Sequence, residues 1–284
     1  MEIQNITVLG SGTMGRGIAY VGAVAGFDTT VTDVADEILE SARNGVAELF
    51  SKAVEKGKMD RETAETAFER IRWISDLEVA SREAHLIIEA VPEDLQLKKD
   101  LFSQVDLFCA EDTILASNTS SISITALAGA VERREKFIGL HFFNPVHAMK
   151  LIEIVIGERT SQKTIDVCRG VAERMKKEPI LVRDTPGFAT SRLGLALGLE
   201  AIRMLEDGVA SVSDIDRAME LGYNHPMGPL RLTDLVGLDV RLDIADYLAS
   251  RLGPRFEPPP LLRRLVEEGK LGKKSGQGFY PWPA

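Results

Sequence analysis

Six residues, Gly10-Ser11-Gly12-Thr13-Met14-Gly15, follow a β-branched run at 3–9 (IQNITVL) and open an amphipathic stretch covering about 14–26. A second strand-like run at 29–32 (TTVT) then ends at Asp33. Strand, glycine loop, helix and strand form a βαβ unit, whose two strands lie parallel with the helix crossing over one face of the sheet. A long charged helical region over about 36–72, containing Lys52, Lys56 and Lys58, interrupts the rhythm. It resumes with strand-like runs at 86–92 (LIIEAVP), 114–118 (ILASN), 137–143 (FIGLHFF), 150–157 (KLIEIVIG) and 179–184 (PILVRD), with helical segments between most of them. Such alternation implies a mainly parallel sheet covered on both faces.

After Asp184-Thr185-Pro186-Gly187 the pattern changes. Residues 189–203 are apolar on nearly every side, as in a helix buried on more than one face. Ser213 with Asp216 resembles a capping box, Gly222 reads as a stop, and Pro229 begins another helix that runs to about Gly253. The expected class is α/β: a Rossmann-like, mainly parallel sheet domain over 1–184 followed by an all-α domain over 185–284. The excess apolar surface of the helical part predicts a homodimer formed through it.

Composition narrows the partners. A net charge of -9 argues against nucleic acid or an anionic membrane. No apolar run approaches the ~20 residues that span a bilayer, and the N-terminus enters strand-like sequence without a secretory pattern. Cys109 and Cys168 have neither metal spacing nor a disulfide framework, so both read as core thiols in a reducing cytoplasm. An acidic chain that takes an anionic ligand has to concentrate cations locally, which draws attention to Lys98 and to Lys273-Lys274.

The glycine loop carries the first chemistry. Gly10 permits a tight turn, Gly12 lets the backbone approach a pyrophosphate, and Gly15 lets helix and strand pack closely. The helix beginning around Thr13 and Met14 presents unpaired N–H groups to phosphate. Asp33, at the end of the second strand, would accept hydrogen bonds from ribose hydroxyls and repel a 2′-phosphate. No arginine occurs in the next nine residues, so NAD is favoured over NADP.

The second chemistry is proton transfer. A histidine suits it because the unperturbed imidazole titrates near physiological pH. His141 ends an apolar strand-like run, and Glu153 follows twelve residues later in the next. Glu153 would hold one ring nitrogen and stabilise the imidazolium. A structural histidine paired with a buried carboxylate fits the spacing equally well. Ser120 and Asn144, on turns flanking the same strand ends, offer hydrogen bonds to a substrate oxygen, although residues 117–121 also suit simple helix N-capping. His85, His147 and His225 are less favourably placed.

Several motifs in order resemble the bacterial short-chain 3-hydroxyacyl-CoA dehydrogenases: GSGTMGRGIA, ASNTSSISIT, GLHFFNP, MKLIEI, DTPGF, HPMGPL with DLVGLD, and LGKKSGQGFY. The resemblance spans essentially the whole chain and is nearest to the 3-hydroxybutyryl-CoA dehydrogenases. It implies an NAD-binding domain, a helical dimerisation domain and an acyl-CoA thioester substrate. It also implies His141 as the acid–base residue with Glu153 as its partner, and Ser120 and Asn144 near substrate and nicotinamide. Glu93, Lys98 and Lys274 would be at the cofactor, and Lys56 would face CoA. One departure stands out: Ser191 occupies the position of an asparagine that reaches the family's active site. A sugar-acid dehydrogenase such as the related gulonate enzymes, or a non-catalytic NAD-binding relative, shares the same fold.

Overall fold

The computed structural model describes residues 2–283. The chain divides into two compact units, Met1–Thr185 and Pro186–Ala284. In the first, β1 (Asn5–Leu9) leads through α1 (Thr13–Val24) to β2 (Asp28–Thr32), and α2 (Asp36–Glu55) and α3 (Arg61–Glu69) lead to β3 (Ile71–Trp73). Then come α4 (Leu77–Arg82), β4 (Leu86–Glu89), α5 (Leu95–Phe108), β5 (Ile114–Ser117), α6 (Ile124–Ala128) and β6 (Phe137–Phe142). The unit closes with β7 (Leu151–Ile156), α7 (Gln162–Arg174) and β8 (Glu178–Arg183).

These strands form one sheet in the order β3-β2-β1-β4-β5-β6-β7-β8. Every pairing is parallel except β6 with β7. Every residue of β4, β5 and β6 is buried, as a sheet covered on both faces requires. The strand order reverses between β1, which feeds outward to β2, and β4, which starts the other half. Ligands bind at such switch points, beyond the carboxyl ends of the strands. The glycine loop after β1 and the ends of β4, β5 and β6 all lie at that edge.

The expected helical region 36–72 is in fact two helices and an edge strand. Gly57, at φ +63°, follows α2. Asp60 caps α3 by accepting from the Thr63 N–H at 2.8 Å, and residues 71–73 pair with β2.

The second unit consists of α8 (Thr190–Glu206), α9 (Val212–Tyr223), α10 (Pro229–Val236), α11 (Leu238–Leu252) and α12 (Pro260–Glu267), joined by turns. Leu195, Leu199 and Ile202 of α8 pack with Leu230, Leu238, Ala245, Leu248 and Leu262. Two sequence expectations need correction here. The cap of α9 is Ser211, which accepts from Asp214 N–H, and the helix ends on left-handed Asn224 rather than at Gly222. Asp216 is unavailable for a box with Ser213, because its carboxylate accepts from the N–H groups of Leu230 and Arg231 and from the Tyr280 hydroxyl. It therefore caps α10 from a distance. The single helix expected from Pro229 to about Gly253 is broken at Gly237, whose φ of +106° no helix accommodates.

Candidate active site

The glycine loop fits a dinucleotide phosphate. Gly10 has φ +96°, and a Cβ on Gly15 would lie 1.8 Å from the Gly10 carbonyl oxygen. Only glycine lets α1 start this close to β1. At Gly12 nothing lies within 4 Å of where a Cβ would be, so the backbone is open to an approaching ligand. Gly12 is the N-cap of α1 without a side-chain cap, and the first turn carries no acid. The N-terminal N–H groups are thus available to an anion. Asp33 does more than its expected ribose role, since its Oδ2 accepts from both the N–H and the hydroxyl of Ser11 at 2.7 Å. The carboxylate therefore also fixes the loop.

Glu89, at the end of β4, was not singled out from sequence, yet it organises the next part of the site. It is 0% exposed and accepts from Lys98 Nζ at 2.5 Å, Ser117 Oγ at 2.6 Å and Val91 N–H at 2.7 Å. Lys98 is 1% exposed, and its ammonium also reaches the Val91 carbonyl at 3.1 Å and Glu93 at 3.3 Å. Lys98 drew attention as a cation for an anionic ligand, but internal acceptors surround its charge. It acts on Glu93 instead. Glu93 Oε1 accepts from Thr119 Oγ1 at 2.6 Å, Ser120 N–H at 3.0 Å, and Ser121 N–H and Oγ at 3.1 Å. Burial pushes this carboxyl's pKa up, but Lys98 and the donors of Thr119, Ser120 and Ser121 outweigh it and hold the value below the usual carboxylate range. Ser120, itself exposed, is thus positioned through its backbone.

His141 and Glu153 are directly opposite each other across the antiparallel β6–β7 pair. His141 is 5% exposed and Glu153 0%. The ring Nδ1 and carboxylate Oε2 are 2.7 Å apart. With Nδ1–H donating to Glu153, the imidazole lone pair resides on Nε2. Asn118 Oδ1 accepts from the Phe142 N–H at 2.9 Å and ties the ends of β5 and β6 together. Asn144 is exposed on the turn beyond β6, beside a cis Asn144–Pro145 bond. That turn is held from two sides. A Cβ at Gly17 of α1 would lie 2.7 Å from Val146 Cβ. Buried Lys177 donates to the carbonyls of Val146 and Met149, and burial pulls its pKa down. No sequence signal marked Lys177.

The other histidines do different work. His85 Nδ1 accepts from the N–H groups of Gln4 and Asn5. The His147 ring lies edge-on to Tyr20 with centroids 6.1 Å apart, and its pKa is pushed down by burial and by Lys58, Lys177 and Lys56. Lys56 is exposed just beyond α2, and its charge adds to the downward shift of the His147 pKa. In the second unit, Ser191 is half-buried in the first turn of α8, and Lys274 pairs with Asp239. Cys109 and Cys168 are both buried free thiols. No helix among the described residues is long and apolar enough to cross a membrane.

Comparison with known proteins agrees with this geometry. Residues 5–185 match the family described as 3-hydroxyacyl-CoA dehydrogenase, NAD binding domain, and residues 187–282 match its C-terminal domain. A probable 3-hydroxybutyryl-CoA dehydrogenase of Deinococcus radiodurans is 44% identical over 276 residues, covering 97% of this chain and 99% of that protein. The mitochondrial hydroxyacyl-coenzyme A dehydrogenase of Sus scrofa is 42% identical over 99% of this chain and 91% of its own length. The crystal structure of (S)-3-hydroxybutyryl-CoA dehydrogenase from Ralstonia eutropha superposes with a TM-score of 0.97 at 37% identity, each chain covered in full. The chain belongs to the 3-hydroxyacyl-CoA dehydrogenase family, NAD-dependent oxidoreductases with a Rossmann-type domain followed by a helical one.

Proposed function

We propose that this protein reversibly oxidises a short-chain (3S)-3-hydroxyacyl-CoA, such as 3-hydroxybutyryl-CoA, to the 3-ketoacyl-CoA, with His141 as its acid–base residue. The observation that carries the assignment is the 2.7 Å contact between two buried groups, His141 Nδ1 and Glu153 Oε2. Bound NAD supplies the acceptor for the hydride that leaves C3. The hydroxyl proton goes to His141 Nε2, and Glu153 stabilises the imidazolium that results. In the reverse direction the same nitrogen returns the proton. Ser120 and Asn144 hydrogen-bond the substrate oxygen in its hydroxyl and keto forms. General acid–base assistance of this kind contributes ~10²–10⁴-fold.

The loop Gly10-Ser11-Gly12-Thr13-Met14-Gly15 and Asp33 bind the cofactor in this reading, with Glu93, held by Lys98, beside it. Lys274 is assigned to the cofactor and Lys56 to CoA, both on the strength of the family resemblance. The second unit leaves Leu193 67%, Leu197 41% and Leu235 45% exposed, and this apolar surface supports a homodimer formed through it. Two buried free thiols fit a reducing cytoplasm. The test is His141→Gln, assayed by acetoacetyl-CoA reduction and NADH binding. Turnover should fall by ~10²–10⁴-fold with NADH affinity retained. Wild-type-like turnover would remove His141 from the mechanism.

A further inference from the structure

A buried ammonium with no carboxylate beside it holds the turn between β6 and β7. Lys177, the residue before β8, is 7% exposed. Burial lowers its pKa, and no carboxylate among the described residues opposes that shift. Taking an ammonium out of water costs several kcal/mol unless an anion meets it. An apolar side chain of the same length would fill the space without that cost. The end of α7 delivers the residue to its place. Lys176 is left-handed at φ +56°, its N–H reaches the Glu173 carbonyl, and the Lys177 N–H reaches the Ala172 carbonyl, each at 2.9 Å. This pair of bonds is a Schellman closure, in which the left-handed position usually falls to glycine. A lysine accepts a strain of about 1–2 kcal/mol there.

What the ammonium meets is the turn itself. The carbonyls of Val146 and Met149 accept from no main-chain N–H among the described residues, and both accept from Lys177 Nζ. The next residue continues the contact, since the Glu178 N–H donates to the Lys150 carbonyl at 2.8 Å. Val146 is held by its side chain as well, because a Cβ on Gly17 would lie 2.7 Å from it. Gly17 belongs to α1, the helix that starts at the dinucleotide loop. One valine therefore links the cofactor helix to the buried ammonium. At the start of the turn, Asn118 holds the Phe142 N–H at 2.9 Å. Asn144 lies midway between these two fixed points and lines one cavity with Thr13, Gly17 and Val146.

We propose that Lys177 is a positioning residue for the reaction: its hold on Val146 and Met149 fixes where Asn144 meets the substrate oxygen. The inference rests on the proposed function and on the assignment of Asn144 to the substrate. Lys177 touches neither substrate nor cofactor in this role and acts through the main chain of the turn. Hydrogen bonds from a charged donor are roughly twice as strong as neutral ones. Two of them from one buried atom hold residues 146 and 149 at a set distance from β8. A misplacement of about 1 Å in a group that orients substrate can cost ~10²-fold in rate.

Lys177→Met keeps the stem and removes the donors. Its kcat/KM for acetoacetyl-CoA should fall about 10- to 100-fold, mainly in kcat, with NADH affinity within about twofold of wild type. Stability in urea is measured on the same protein, and a loss confined to stability, with kcat and KM unchanged, overturns the proposal. The decisive comparison is a double-mutant cycle with Asn144→Ala. If Lys177 acts through Asn144, adding Lys177→Met to Asn144→Ala should cost less than about twofold further. Losses that multiply would show that Lys177 acts elsewhere and overturn the proposal. Lys177→Gln keeps an N–H₂ donor, should lose less than the Met variant, and carries the same cycle if that variant does not fold. Wild-type kinetics in Asn144→Ala would overturn the proposal and leave the reading of His141 standing. Failure of wild type to reduce any 3-ketoacyl-CoA would refute the proposed function itself.

Discussion

Replacing Glu153 by Gln removes one negative charge from a fully buried position on β7, one strand in from the sheet edge, and almost nothing of the side chain's shape. The carboxylate is 0% exposed and its imidazole partner 5%, so water cannot make up the loss. At 2.7 Å the contact is a charge-assisted hydrogen bond once the ring is protonated. Hydrogen bonds to charged groups contribute about 1.5–3 kcal/mol net. At about 1.4 kcal/mol per tenfold, the expected loss in kcat/KM is roughly 10- to 150-fold. The imidazolium forms only as the hydroxyl proton moves, so the loss should fall on kcat and leave KM nearly unchanged. The amide carbonyl of Gln can still accept from Nδ1–H. If its NH₂ turned to Nδ1 instead, the lone pair would leave Nε2, and the loss would approach the ~10⁴-fold seen for the wrong tautomer in a serine-protease triad. The assay is the fall in NADH absorbance with acetoacetyl-CoA, alongside NADH binding by fluorescence titration. A kcat within about twofold of wild type would show that Glu153 merely fills space.

Three further outcomes follow from the same structure. Lys98→Met leaves the Glu89 carboxylate buried without its ammonium at 2.5 Å and should destabilise the protein by about 3–5 kcal/mol in urea denaturation; a change below about 1 kcal/mol would contradict the buried pair. Glu93 has its pKa depressed by Lys98 and the serine-loop donors against the opposing effect of burial, so its stabilising contribution is complete above the unfolded value of about 4.3 and is lost as pH falls through the lower folded value. The stability gap between wild type and Glu93→Gln should therefore close only below the usual carboxylate range, and a gap that stays constant down to acid unfolding would be the contrary result. Asp33→Asn should weaken NADH binding, because Ser11 loses a charged acceptor at 2.7 Å, and should narrow the preference over NADPH; wild-type protein that binds NADPH more tightly than NADH would refute the role given to Asp33.

The alternating half of the chain was legible because each strand end is marked by its own chemistry. Glycines follow β1, Asp33 follows β2, and His141 lies near the end of β6. Periodicity reveals such boundaries when strands are long and apolar. It hid β3, whose three residues follow a helix without a break. The capping of α9 was misread because Ser211 and Ser213 both have an aspartate three residues on, and only the fold shows that Asp216 is committed to α10 and Tyr280. The pairing of His141 with Glu153 was suggested by spacing and implied by the family resemblance; the register of β6 against β7 makes them cross-strand neighbours. Lys98 drew attention as a cation for an anionic ligand, whereas its burial depends on Glu89, nine residues earlier, which composition does not reveal. Lys177 is one lysine in a charged stretch, and nothing local distinguishes it.

Because His141 and Glu153 sit on adjoining strands, their alignment is inherited from main-chain pairing and owes little to the connection between them. Within that connection, residues 143–150, Val146 and Met149 are anchored and Asn144 is assigned to the substrate, but the exposed positions between them can change while imidazole and carboxylate stay in register. Under the proposed mechanism, substrate range can therefore drift by remodelling exposed positions of a turn, without retuning the His141–Glu153 pair.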